Sequence, residues 1–286
     1  MHRFHPIARF AEETAFDDLK VAVVSDLHIG SSSSRYAQAW KWLMQGIKQG
    51  QFNRLVINGD FACYQEMPSR ELTARLRQHL QEALDANPEL KIYMVRGNHD
   101  MARPFHNVLQ DLARSNPARF TISDILFFGE DVAFIHGDRK MLEHERHIFP
   151  PIYFRNQAAR DAKTLSNAGK PPKPWCVPVD KCLGKIPEID RMFTLYTEPH
   201  YDLGAEPVQG HPGKTKRVFI GHIHPEEPMM DIPCNGRKYY VTGASLVGGE
   251  CTIIGLQFNA DGTSKEPEIV YHEPMREMIK KERAYA

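Results

Sequence analysis

Five short polar clusters in this 286-residue chain have the residue types for metal chemistry: Asp26-Leu27-His28, Gly59-Asp60, Gly97-Asn98-His99-Asp100, His136-Gly137-Asp138 and Gly221-His222-Ile223-His224. Each closes a short apolar run. Together they offer carboxylate oxygens, imidazole nitrogens and one amide oxygen, without a thiolate. That donor mixture suits Mn²⁺ first, with Fe or Zn²⁺ next and Mg²⁺ as a further option, and it does not suit a soft metal. The donors suffice for two divalent ions sharing a carboxylate. Two such ions roughly 3.5–4 Å apart can activate a bridging water and clamp the oxygens of an in-line phosphoryl displacement. Taken singly, Gly-Asp is a common turn, and a histidine at a strand end is more often hydrogen-bonded than ligating. Gly-Asn-His-Asp and Gly-His-Ile-His are more specific, and the full series in this order carries the argument.

Donors so far apart in sequence need a framework that brings strand ends together. The first ~138 residues alternate strand-like and helix-like segments, the rhythm of βαβ units. Strands are predicted over Leu19 to Val24, Arg54 to Ile57 and Ile92 to Val95, and helices over Arg35 to Lys48, Ser69 to Ala86 and Phe105 to Ala113. Ile125 to Phe128 and Val132 to Ile135, around Gly129-Glu130-Asp131, read as a hairpin that delivers His136. Arg217 to Ile220 delivers His222 and His224. Tyr239 to Thr242, Thr252 to Phe258 and Glu268 to Tyr271 continue the strand pattern. In open α/β sheets ligands gather at the carboxyl ends of strands, where each cluster sits. In Asp26-Leu27-His28 the alternation of a strand end sends Asp26 and His28 one way and Leu27 into the core.

The length fits one large domain, 1–286, with an inserted cap or lid over 139–217, where prolines break the rhythm. Lys plus Arg and Asp plus Glu both total 36, so no global field attracts polyanions. The segment 139–217 nevertheless holds 14 basic and 9 acidic residues, leaving the remainder acidic. Lys163, Lys170, Lys173, Lys181 and Lys185 could bind an anionic substrate there or form a solvated face. Trp175 could stack on a base, although packing of the cap is the simpler reading. Cys63, Cys176, Cys182, Cys234 and Cys251, odd in number and without a secretory leader, point to reduced thiols and a cytoplasmic protein. His144, His147, Cys176, Cys182, His200 and His211 match no zinc spacing. No window is apolar enough for a membrane span.

At its five motifs the chain resembles the calcineurin-like metallophosphoesterase superfamily, with its D-x-H, GD, GNH[DE], H-x-x and GHxH pattern in order. The resemblance covers roughly residues 19 to 258, with 139 to 217 outside the shared framework. It implies an α/β (α+β) fold, a two-sheet β-sandwich core flanked by helices with the site at one edge. It implies two divalent metal ions. Asp26, His28, Asp60 and His224 would hold one, and Asp60 would bridge to a second held by Asn98, His136 and His222. His99 would contact the phosphate or protonate the leaving oxygen, oriented by Asp100, which makes these two the catalytic pair. The implied reaction is hydrolysis of a phosphomonoester or phosphodiester through a metal-bridging hydroxide. A leaving alkoxide has a high pKa, so a positioned histidine acid is useful near neutral pH.

Departures from the pattern narrow the substrate. Ser/Thr phosphoprotein phosphatases extend the second motif to GDxxDRG, whereas this chain reads Gly59-Asp60-Phe61-Ala62-Cys63-Tyr64-Gln65. Phe61 and Tyr64 offer stacking surface or core packing. The long interval after His136 is similar to that of UDP-diacylglucosamine pyrophosphatases, but those enzymes commonly carry Arg in place of His99. The His-x-Pro fourth motif of cyclic-nucleotide phosphodiesterases and the DNA-binding cap of repair nucleases are not matched. Arg103 and Arg139 are candidate substrate-binding cations, with His106 near the first. Asp138 could orient a ligand or cap a helix, and Ser31 to Ser34 could be a mobile loop by the site or only a linker. The partner expected is a small anionic phosphoester. A nuclease or nucleotide phosphodiesterase using the basic segment is the alternative, and a non-catalytic scaffold ranks last because no ligand position is lost.

Overall fold

Residues Lys20–Val24 (β2) are buried past Lys20 on both faces, which sets the layering of the protein. Val21 and Val23 enter a cluster shared with a second sheet, while Ala22 and Val24 enter a cluster shared with helices. A strand alternates sides at every residue, so an unbroken apolar run must lie between two apolar layers. The computed structural model describes residues 8–11, 13, 15–32, 34–64, 67, 69–137, 178–197, 214–225, 227–243 and 250–274.

Ala8–Phe10 (β1) precedes β2. Then come Tyr36–Lys48 (α1), Arg54–Asn58 (β3), Ser69–Ala86 (α2), Lys91–Val95 (β4), Arg103–Ser115 (α3), Phe120–Ser123 (β5), Ile125–Phe128 (β6) and Val132–Ile135 (β7). Further along the chain follow Val179–Leu183 (α4), Ile186–Thr197 (α5), Arg217–Ile220 (β8), Met229–Cys234 (β9), Arg237–Val241 (β10), Glu250–Gln257 (β11) and Glu268–Pro274 (β12). One sheet has the order β12-β11-β2-β3-β4-β5, with β2 to β5 parallel. The other has the order β1-β6-β7-β8-β10-β9, with β7, β8 and β10 parallel. The protein is thus a two-sheet sandwich flanked by helices.

α1, α2 and α3 cover the outer face of the first sheet. α2 does so through Leu72, Leu76, Leu80, Ala83 and Leu84, an i, i+4 stripe. Each leucine so buried contributes roughly 2 kcal/mol. Pro104 lies in the first turn of α3, where no intrahelical N–H is needed. Val21, Val23, Val56 and Val95 meet Leu126, Phe128, Phe134 and Phe219 between the sheets. The outer face of the second sheet is covered by α4 and α5, through Cys182, Ile186, Ile189 and Phe193. Asp190 of α5 locks that layer. It accepts from Asn235 Nδ2 at 2.7 Å, Arg237 Nη1 at 2.8 Å and Tyr239 Oη at 2.5 Å.

Within the stretch 139–217, residues 178–197 are therefore a packed layer of the sandwich, and 214–217 lead into β8. Residues 138–177 and 198–213, with Asp138, Arg139, Trp175 and most of the basic and metal-capable residues, lie outside the described residues. Lys181 and Lys185 are exposed, the solvated-face reading. Cys182 is buried and donates its S–H to the Ile223 carbonyl at 3.3 Å. The sequence pattern does not signal β1, β5, β9 or α5. β9 contains Pro233, which argues against a strand except at an edge, and β9 is an edge. Asn235-Gly236, both with positive φ, forms the β9–β10 turn, and this Asn-Gly signal was readable. Among the described residues no helix is long and apolar enough to cross a membrane.

Candidate metal centre

The clusters converge because parallel neighbours end at the same edge. β2, β3 and β4 run side by side in one sheet, and β7 and β8 in the other. Asp26 and His28 follow β2, Asp60 follows β3, Asn98 and His99 follow β4, His136 follows β7, and His222 and His224 follow β8. Loops of the first sheet are zipped by backbone bonds from Asp26 N–H to the Gly59 carbonyl at 3.0 Å and from His28 N–H to the Asp60 carbonyl at 2.9 Å. The chain turns sharply there. Asp26, His28, Asp60, His222 and His224 have φ of 53°, 46°, 50°, 64° and 40°. Such left-handed backbone costs a non-glycine residue of order 1–3 kcal/mol, and it persists only where the surroundings over-determine it.

Asp26, His28, Asp60 and His224 place one ligand atom each within 4.8 Å of one another, and Asp60, His136 and His222 do the same. Asp60 belongs to both groups. Its Oδ2 lies 3.7 Å from His28 Nε2 and 3.2 Å from His136 Nε2, while Oδ1 accepts the His99 backbone N–H at 2.8 Å. His224 Nε2 is 2.9 Å from Asp26 Oδ1 and 3.1 Å from His28 Nε2. The Asp26 carboxylate also accepts the His222 N–H at 3.1 Å. Two observations show that these residues fit divalent cations. Asn98 Oδ1 is a buried acceptor with no hydrogen-bond donor among the described residues, as an amide oxygen turned to a cation would be. His136 Nδ1 lies 3.0 Å from the Asn58 carbonyl, which can only accept, so that nitrogen carries the proton and Nε2 presents a lone pair beside Asp60.

A second layer holds these donors in place. Ser25 Oγ is 2.5 Å from Asp26 Oδ2, and Asn58 Nδ2 donates across the sandwich to the Phe219 carbonyl at 3.2 Å. Arg96 grips Asp124 with Nε–Oδ1 at 3.0 Å and Nη2–Oδ2 at 2.7 Å, anchoring the end of β4 just before Gly97-Asn98-His99. Gly59, with φ 88°, is required in two ways, since a Cβ there would also overlap the His136 ring. A Cβ on Gly97 would overlap Asp60.

The family model for calcineurin-like phosphoesterases matches residues 19–226. The chain belongs to the calcineurin-like phosphoesterase family. It is accordingly a metal-binding hydrolase of phosphoester bonds. No curated protein matches it in sequence. Among solved structures it is similar to a dimetal phosphatase from Danio rerio, at 11% identity and TM-score 0.44, covering 90% of this chain and 98% of that one. It is also similar to Pseudomonas putida nuclease MPE, at 15% and 0.36, covering 89% and 93%. A 5′-nucleotidase precursor from Thermus thermophilus is similar at 13% and 0.41, covering 88% and 53%.

In this calcineurin-like phosphoesterase the local field favours the ligating protonation states. Burial pushes the Asp26 carboxyl up, but the His224 and His136 imidazoles outweigh it and bring it to about 2. Burial likewise opposes ionisation of Asp60, and His136, His99 and His28 overcome it, holding it well below the carboxylate range. Burial drives His28 down to about 3, leaving a neutral ring. Metal ligands must be deprotonated in this way.

Asp100 is the exception. Burial, then the Asp60 charge, raises it to about 7, although both oxygens accept backbone N–H groups, from Ala62 at 3.0 Å and Gly97 at 2.9 Å. Its observed work is to staple the Gly-Asn-His-Asp turn to the loop after β3. Arg103 is exposed at the start of α3, and Arg139 lies outside the described residues. Phe61 and Tyr64 belong to the core: Phe61 packs on Trp40 and Phe105, and Tyr64 Oη is 2.9 Å from Thr73 Oγ1. Ser34 Oγ donates to the Leu27 carbonyl at 2.6 Å, tying the serine loop to the D-x-H turn. Sequence reasoning missed Cys63, Asn58 and the Arg96–Asp124 pair. Cys63, read as one of several scattered thiols, lies buried against His28 and His99.

Proposed function

We propose that the protein hydrolyses a small anionic phosphomonoester or phosphodiester, with Asp60 shared between two divalent ions and His99 as general acid. The observation that carries this reading is the division of labour at Asp60. Oδ2 faces ligand nitrogens of both groups, and Oδ1 holds the backbone of His99. The ions, Mn²⁺ being our first choice, would supply charge neutralisation and an activated water when held by Asp26, His28, Asp60 and His224 on one side and Asp60, Asn98, His136 and His222 on the other.

The remaining chemistry falls to the chain. Its rigid, strained loops fix the donors, so little reorganisation is needed as charge develops. His99 is partly exposed beside the buried Asp60. Burial lowers its pKa, so the ring is neutral near pH 7 in the free protein. A phosphate dianion brought beside the ring acts in the opposite sense, stabilising imidazolium and readying a proton for the leaving oxygen. Asp100 keeps the turn that presents His99, and Arg103 at the start of α3 would meet outlying substrate charge.

Incubation with Mn²⁺ and p-nitrophenyl phosphate or bis-p-nitrophenyl phosphate should give turnover that chelation abolishes and Mn²⁺ restores. No turnover on either ester, or on nucleotide and phospholipid esters, by metal-loaded protein would overturn the proposal.

A further inference from the structure

Cys63 lies three residues past Asp60 and is fully buried. One ring nitrogen of His28, Sγ of Cys63 and one ring nitrogen of His99 lie within 4.8 Å of one another. The two rings meet edge to face with centroids 4.8 Å apart. Cys63 is also fixed from behind. Its N–H donates to the Ile29 carbonyl at 2.9 Å, and its own carbonyl packs at Gly30, where a Cβ would approach to 2.7 Å.

This trio differs in chemical character from the neighbouring donor set. The neighbouring groups combine imidazoles with carboxylate and hold no thiolate, which suits harder to borderline ions, whereas one thiolate with two imidazoles favours Zn²⁺, Cd²⁺ or Cu⁺. We propose that His28, Cys63 and His99 form an inhibitory site for a thiophilic metal ion that shares His28 with the catalytic centre. Binding forms one metal–sulfur and two metal–nitrogen bonds, takes the single His28 lone pair from any ion already held there, and releases the thiol proton to solvent, with no change of oxidation state. Of the three, only His99 is partly exposed, so the ion enters from its side. Occupancy ties up the His99 lone pair and draws on His28. The inhibitory consequence rests on the roles proposed above for those two histidines, whereas the site itself does not.

The test titrates Mn²⁺-loaded full-length protein with Cd²⁺, following the ultraviolet thiolate-to-metal charge-transfer band and p-nitrophenyl phosphate turnover in the same samples. The expected result is a band that saturates at one equivalent per chain as turnover falls. Cys63→Ser should lose the band and require at least about tenfold more Cd²⁺ for inhibition, since loss of even an outer partner of a metal costs that much. Cys182→Ser should behave as wild type. No band in wild type, or an undiminished band in Cys63→Ser, overturns the proposal. Should Cys63→Ser and Cys63→Ala not fold, cadmium-edge X-ray absorption of the wild type decides: one sulfur with imidazole neighbours supports the site, and a sulfur-free shell overturns it. A chain that shows the band without phosphoester turnover overturns the proposed function and leaves this site. Turnover without the band overturns this site alone.

Discussion

Asp60 Oδ1 accepts the backbone N–H of His99 at 2.8 Å, joining the residue shared by both ligand groups to the proposed acid. The second motif thereby holds the third through the peptide rather than the imidazole. Any change at Asp60 is felt at the metals and at the position of His99 together, while a change in the His99 side chain leaves this bond intact.

His99→Gln should therefore keep its Mn²⁺ while losing kcat by about 10²–10⁴-fold on an alkyl phosphoester. The loss should be smaller on p-nitrophenyl phosphate, whose leaving group scarcely needs a proton. Parallel kcat and bound-Mn²⁺ measurements on both esters check this. Equal losses on both esters would remove the acid role, and lost Mn²⁺ would make His99 a ligand.

Glu13 provides a pH dependence remote from the centre. It accepts from Arg54 at 2.5 and 2.7 Å, Tyr93 at 2.6 Å and Lys91 at 3.2 Å. Burial raises its carboxyl, but these partners outweigh burial and hold it below the ordinary value. A depressed folded pKa stabilises above the unfolded value of about 4.3 and loses that stabilisation as pH falls through the folded value. Glu13→Gln should cost about 3 kcal/mol at pH 7 and progressively less toward pH 3. Urea unfolding at both pH values tests it, and an undiminished difference at pH 3 would refute it.

The Arg96–Asp124 pair is buried, with exposures of 5% and 0%, so removing one charge strands the other. Asp124→Asn should destabilise the protein by about 3–5 kcal/mol in urea unfolding. A loss under about 1 kcal/mol would show that the pair is not needed to hold the end of β4.

What could be read from the sequence was whatever is local. A β-branched run ending in Asp-Leu-His or Gly-His-Ile-His lies within a dozen residues, and α2 shows its buried face in one stretch of leucines. What could not be read depends on distant partners. Nothing around Asn58 announces that it crosses to Phe219, and Arg96 meets Asp124 only because β4 and β5 pair. Cys63 joins His28 and His99 through three separate loops. The left-handed φ of Asp26, His28 and Asp60 was equally hidden, because side chains rather than glycine occupy those turns. The prolines that marked 139–217 as a cap concealed α5, whose Ile186, Ile189 and Phe193 belong to the core.

The central claim is that one carboxylate, Asp60, is common to two bound ions. Equilibrium dialysis with Mn²⁺, read together with electron paramagnetic resonance, tests it most directly on wild type and Asp60→Asn. The account predicts two ions per chain with a spin-coupled spectrum in wild type, and at most one ion, uncoupled, in Asp60→Asn. Two ions retained with their coupling in Asp60→Asn would contradict it.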